Sequence, residues 1–178
     1  MSRTLCKSLM LTVLSATLGG CGLMQSVTEG TRSTARSIFY KQVNTLHLDF
    51  DGRAAMNTDM LDMSALSAPV LVRVYQLRDS RALERASYDR LLDDAYGVFG
   101  SDLLDERAVM VRPGQGAQLN VPMDKDARFV AAVALFRQPD VRASSWRLTL
   151  ARDDLEPDRA RVIELGDNQL LLRPLAKE

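Results

Sequence analysis

Two cysteines, one histidine and two aspartate pairs are the side chains of this 178-residue chain whose types suggest chemistry. Cys21 follows Leu18-Gly19-Gly20, the end of an apolar run that begins at Leu9, and Arg3 and Lys7 precede that run. A basic start, a short apolar stretch and small residues at its end make a secretory signal. The run is too short to persist as a membrane-crossing helix. Cys6 leaves with the signal, so Cys21 has no second thiol to pair with, and the remaining chain must be held by its core in an oxidising compartment. His47 is the single histidine. A nucleophilic triad needs a base beside the nucleophile, but His47 lies on the polar face of a strand pattern and no Gly-x-Ser-x-Gly is present. With one histidine there is no Cys/His cluster for zinc. Asp93-Asp94 and Asp153-Asp154 are neighbours that point apart, without the alternating oxygen ligands of a calcium loop, and read as solvated surface. Gly114-Gln115-Gly116 is a turn between strands rather than a phosphate cradle. No enzyme is expected.

Leu18-Gly19-Gly20-Cys21 resembles the lipobox of bacterial lipoproteins, in which cleavage leaves the cysteine first and lipid is attached to it. That resemblance implies a covalent diacylglycerol and an N-acyl chain on Cys21, and no other cofactor. Each buried methylene contributes roughly 0.8 kcal/mol, so two or three chains anchor stably where one does not. Gly22, in place of an aspartate, is similar to sequences sorted to the outer membrane.

The elements that position these residues fall into three segments: a lipoprotein signal at 1–20, a lipidated terminus and flexible spacer at 21–42, and one domain at 43–178. Removing the signal leaves 21 basic against 23 acidic residues, a net charge near −2. That balance offers no footprint for nucleic acid. The spacer is rich in serine and threonine, spans roughly 25 Å r.m.s., and ends on Ile38-Phe39-Tyr40, which can dock onto the domain.

From Val43 the pattern has period two: Leu46, Leu48 and Phe50 on one face, Thr45, His47 and Asp49 on the other, a half-buried strand. Val70–Leu77 after Pro69 is nearly continuously apolar and should be central; Arg73 within it must reach an edge or an acid. Asp79–Phe99 has helical spacing, with Asp79 or Ser80 as cap, Ser87 capping a kinked second segment, and Gly97 and Gly100 ending it. Strands follow at Ala108–Arg112, Ala117–Val121, Phe129–Phe136 and Trp146–Leu150. A last hairpin, Arg161–Leu165 and Gln169–Leu172, turns at Gly166-Asp167-Asn168. About eight strands with one short helical insertion after the second predict an all-β, two-sheet β-sandwich, with a closed barrel as the other solution.

Residues 51–68 are long for a connection between strands. They carry Met56, Met60 and Met63, three of the six methionines of the mature chain, with Leu61 and Leu66. Methionine moulds to irregular surfaces, so this loop reads as a partner contact as well as a loop folded on its own domain. A short helix from Asp59 to Leu66 is the local alternative.

The lipobox, Asn57-Thr58-Asp59, and Pro-Val-Leu-Val-Arg-Val-Tyr-Gln-Leu at 69–77 resemble the outer-membrane lipoprotein of type VI secretion systems, the TssJ family. Leu83, Ala86, Tyr88 and Leu91 fit in order, as do Ser101-Asp102-Leu103-Leu104, Arg112-Pro113-Gly114, Val133–Arg137 and Trp146-Arg147. Asn57-Thr58-Asp59 departs from the family's common Asn-Pro-Asp. The resemblance implies a transthyretin-like sandwich and a non-enzymatic role: a lipid-anchored protein of the outer membrane, facing the periplasm. Its implied partner is the periplasmic C-terminal domain of the inner-membrane TssM-like protein. No nucleic acid and no small-molecule substrate are expected. It also places the contact in the loop between the first two strands, with 137–144 a weaker candidate; from that loop's own composition, Met56, Met60, Leu61 and Met63 are expected as apolar anchors, with Asn57 and Asp59 fixing the loop. The competing class is a periplasmic lipoprotein that binds a small ligand or peptidoglycan between the sheets or under the helix. Cys21→Ser is expected to move the protein from the outer-membrane fraction to the soluble periplasm, read by fractionation and immunoblot.

Overall fold

The computed structural model describes residues 42–58 and 66–175. Cys21, Ile38-Phe39-Tyr40, Asp59, Met60, Leu61 and Met63 lie outside the described residues. Eight strands form two four-stranded sheets, so the sandwich expectation holds. The first sheet has the order β4-β1-β7-β8: β1 is Thr45–Gly52, β4 Gly116–Pro122, β7 Arg161–Gly166 and β8 Gln169–Leu172. The second has the order β3-β2-β5-β6: β2 is Val70–Leu77, β3 Leu103–Val111, β5 Phe129–Ala134 and β6 Arg147–Ala151. Pairings are antiparallel except β1 with β7, where Leu48 faces Arg161 and Gly52 faces Leu165.

Period two explains which face is buried. Leu46, Leu48 and Phe50 of β1, with Ile163 and Leu165 of β7, meet Val70, Val72 and Val74 of β2 across the sandwich, and all are buried. β2 and β5 are buried on both faces, as their unbroken apolar runs predict. Three short helices cover the second sheet's outer face: α1 (Arg81–Arg85), α2 (Tyr88–Asp93) and α3 (Ala95–Phe99). Leu83, Leu91, Ala95 and Phe99 are their buried positions. Tyr75 of β2 packs against Phe99 with ring centroids 4.9 Å apart, and this burial raises the Tyr75 hydroxyl above its ordinary pKa.

Two expected boundaries shift. Gly97 does not end the helical region: Asp94 breaks it and its carboxylate accepts from the Gly97 amide at 2.8 Å, restarting the chain as α3. Gly100, at φ +53°, does end it. β3 begins five residues earlier than Ala108, because on this edge strand the charges find partners: Asp105 accepts from Gln76 at 3.3 Å and Arg107 at 3.0 Å, and Glu106 faces Arg73.

With no thiol in the domain, arginines tie the layers through backbone carbonyls. Arg147 donates to Leu83, to Ala86 at 3.0 Å and to Glu84 at 3.1 Å, capping the end of α1. Burial pushes its guanidinium below its ordinary pKa, partly offset by Glu84. Arg73 reaches the Leu91 carbonyl at 3.3 Å and the Glu106 carboxylate at 3.8 Å. Arg152 joins Asp124 and Ala127, each at 2.8 Å, to Val43 at 2.7 Å, fixing the point where the chain enters β1. Leu48→Ala should cost about 2–5 kcal/mol. His47→Ala, one residue away on the open face, should cost about 0.5 kcal/mol or less. Urea unfolding of the two variants checks the assignment of faces.

Candidate functional site: a clamped loop at one end of the sandwich

Elements fix the ends of the site first. β1 runs from the Arg152-bound start of the domain to Gly52, and the 53–68 loop leaves from there. Gly52 donates to the Gln115 carbonyl at 3.1 Å, and a Cβ at this position would lie 2.5 Å from the Arg112 carbonyl oxygen. Only glycine lets β1 pass this close to the turn before β4. The loop's first residues then lie along the β7–β8 hairpin. Arg53 donates to the Leu165 carbonyl at 2.8 Å, the Asp167 amide reaches the Ala55 carbonyl at 3.4 Å, and Asn168 donates to the Thr58 carbonyl at 2.9 Å. Asp167 and Asn168 both have positive φ, as the hairpin turn requires.

Asn57 and Arg137 carry the rest. Asn57 is buried and sits at φ +51°. Its amide nitrogen donates to the Pro69 carbonyl at 3.1 Å, and its amide oxygen accepts from the Arg137 backbone N–H at 2.7 Å. The Arg137 guanidinium donates to the Asn57 carbonyl at 2.8 Å and 3.3 Å and to the Leu66 carbonyl at 3.1 Å. One side chain thus ties the two described ends of the loop to the β5–β6 connection. A second tie, Ala68 N–H to the Met56 carbonyl at 3.3 Å, closes the loop below it.

The structure separates the expected site residues. Asn57 fixes the loop, as expected. Met56 is wholly buried, at 0% exposure, and packs beneath the loop near Gly52. As a core side chain it holds the loop in place; it is not an exposed anchor. Cys21, Asp59, Met60, Leu61 and Met63 lie outside the described residues. Residues 137–144, the weaker candidate, supply the clamp through Arg137. Sequence reading missed Arg137 and Asn168 as loop holders; Arg137 stands 80 residues from Asn57 and shows no local signal. His47 Nδ1 lies 2.6 Å from the Asn120 amide oxygen, a surface pairing between strands. The Asp pairs turn out to cap: Asp94 as above, while Asp154 accepts from the Ala151 amide at 2.9 Å. Among the described residues no group of three or more His, Cys, Asp or Glu side chains is placed to hold a metal.

Several of the exposed large apolar side chains among the described residues belong to segments at this end, while Tyr96, 69% exposed, and Leu92, 42% exposed, lie on the helices. Leu66 is 67% exposed, Val141 60% and Leu171 58%, and Met110, near the end of β3, is 47% exposed. Leu66, Val141 and Leu171 belong to the loop, the β5–β6 connection and the hairpin strand, which all meet here. A shallow cleft of about 250 Å³ lies beside them, between Arg53, Ala55, Asp167, Gln169 and Leu171.

A family model described as "Type VI secretion lipoprotein, VasD, EvfM, TssJ" matches residues 44–168. Three solved structures are similar over 75% of this chain and 100% of theirs. A chain of the structure described as "Type VI membrane complex" is 37% identical with a TM-score of 0.70. A chain of the structure described as the T6SS protein TssM C-terminal domain from EAEC is 36% identical with a TM-score of 0.66. Serratia marcescens Lip, described as a membrane bound component of the type VI secretion system, is 26% identical with a TM-score of 0.65. No curated protein sequence matches.

Asn57→Ala removes the amide's hydrogen bonds and puts a residue that tolerates the left-handed region less well than asparagine at φ +51°, which together should cost about 2–4 kcal/mol. Asn57→Gly relieves the backbone and should recover roughly 1 kcal/mol of that. Arg137→Lys keeps the charge but loses the fork, and should destabilise by about 1–3 kcal/mol. Urea midpoints of the three variants check the clamp.

Proposed function

The chain belongs to the type VI secretion lipoprotein family, and we propose that it is a lipid-anchored adaptor holding a TssM-like inner-membrane protein to the outer membrane. Lipid on Cys21 supplies the foothold and the 21–42 spacer supplies reach. The sandwich, residues 43–178, is a rigid frame, and its clamped loop is the contact for the partner's periplasmic C-terminal domain. The likeness to chains of the type VI membrane complex and of the TssM C-terminal domain structure supports a TssM-type partner.

The observation that carries this reading is the polarity of the domain. The chain enters at the Arg152 end of β1, and the loop leaves from the other end, eight residues on. At about 3.3 Å per residue, β1 separates them by roughly 25 Å. The exposed apolar residues Leu66 and Val141 belong to segments at the end of the domain away from Val43, where the chain enters β1. Monomeric proteins rarely display such residues together without a use for them. A rigid frame between tether and contact transmits load without unfolding a loop under it.

The test is a calorimetric titration of the full chain in detergent with the partner's periplasmic domain from the same bacterium. Met60→Ala with Leu61→Ala, or Leu66→Asp with Val141→Asp, should weaken binding at least about tenfold, roughly 1.4 kcal/mol. Lys125→Glu with Asp153→Lys, at the tether end, should leave it unchanged. Unaltered affinity in both loop-end pairs would move the interface elsewhere.

A further inference from the structure

Four strands form the edges of the two sheets, and three of them are guarded. Strand edges offer unpaired N–H and C=O groups to any extended chain, and proteins blunt them with charge, bulges, short length or cover. β3 carries Asp105, Glu106 and Arg107 and a register shift opposite Gln76 and Leu77. β6 carries Arg147 and is five residues long. β8 has four residues, and its Leu170 N–H is taken by the Ser145 carbonyl at 2.7 Å.

β4 has none of these protections along its length. Gly-Ala-Gln-Leu-Asn-Val-Pro has no charged side chain, pairs with β1 in unbroken register, and ends in Pro122. The flanking bonds Met123 N–H to Asn44 and Gly52 N–H to Gln115 fix the alternation. In an antiparallel pair, every second residue exchanges both bonds with its partner. Ala117, Leu119 and Val121 therefore bond to β1. Gly116, Gln118 and Asn120 turn their N–H groups outward, and all three residues are exposed, whereas the Pro122 carbonyl is taken by Gln76 Nε2 at 2.9 Å. The same register sets the free edge, which runs from the loop base, where Gln115 receives Gly52, to Asn120.

We propose that β4 is a strand-addition site for an extended, uncharged segment of the TssM-like partner, continuous with the clamped loop. Main-chain bonds would give affinity, and the alternate side chains of the added strand would give register. This rests on the proposed function, and it extends the contact from the loop end along the full side of the first sheet. An added strand here would run alongside β4 from the loop base, so that the adaptor grips its partner by backbone as well as by side chains.

The experiment is residue-resolved amide exchange on the full chain in detergent, free and saturated with the partner's periplasmic C-terminal domain. In the free chain, Ala117, Leu119 and Val121 should be protected, with Gly116, Gln118 and Asn120 exchanging freely. With partner bound, Gly116, Gln118 and Asn120 should slow at least about tenfold. A bound complex in which those three amides remain fast overturns the inference while leaving the adaptor reading standing. Protection that grows with chain concentration in the absence of partner assigns the edge to a second copy and also overturns it. No binding at all overturns both. As a second variant, Gln118→Pro removes an outward N–H without touching the β1 ladder. It should weaken partner binding at least tenfold at an unchanged melting temperature, whereas wild-type affinity in that variant counts against strand addition.

Discussion

The guanidinium of Arg137 is the contact on which the loop end depends. A loop that leaves a sandwich carries backbone carbonyls that must be paired wherever they are buried, and this domain has no disulfide to hold its base. Arg137 offers five donors in a planar fork, and three of its bonds go to the carbonyls of Asn57 and Leu66. Asn57 completes the knot by accepting from the Arg137 amide and donating to Pro69, the residue from which β2 departs. The start of one sheet's central strand is thus tied to the end of the other sheet's first strand. Charge-assisted bonds of this kind are worth roughly 1.5–3 kcal/mol each, so the clamp is a substantial part of what keeps the loop seated.

The same device recurs at the other end and on the helical face. Arg152 ties β1's first residues to the turn before β5, and Arg147 ties α1 to β6. In each case a cation from a strand or its flank satisfies carbonyls of a segment that has no ladder partner. The result is a frame whose two ends, at Val43 and at the loop, are fixed independently, about 25 Å apart along β1. For the adaptor role proposed above, that separation would matter more than any pocket. The shallow cleft beside the hairpin is an accessory of the loop base.

The sandwich was largely legible in the sequence. Alternation at Leu46, Leu48 and Phe50 specified both the strand and its buried face, and the two-sided apolar runs of β2 and β5 specified the central pair. The last hairpin followed from Gly166-Asp167-Asn168. What escaped had local causes in three cases. Asp105-Glu106-Arg107 resembles a loop until it is placed on an edge strand. Asp94 caps and restarts a helix that Gly97 was expected to end. Met56 shares composition with Met60 and Met63, but register places it in the core. Arg137 escaped for a different reason: its partners stand 71 and 80 residues away, and only the folded topology brings them together. Asn57 was legible as a loop-fixing residue, while the group it fixes against was not.

The central claim is that the loop end, and not the tether end, meets the partner. A photo-activatable amino acid placed singly at Leu66, Val141, Lys125 or Asp153 of the full-length protein, in cells with the secretion system assembled, tests it most directly. The account predicts an adduct with the TssM-like protein from positions 66 and 141 and none from 125 and 153. Adducts from 125 and 153 alone would contradict it, because they would place the partner against the Arg152 end of the domain, away from the loop.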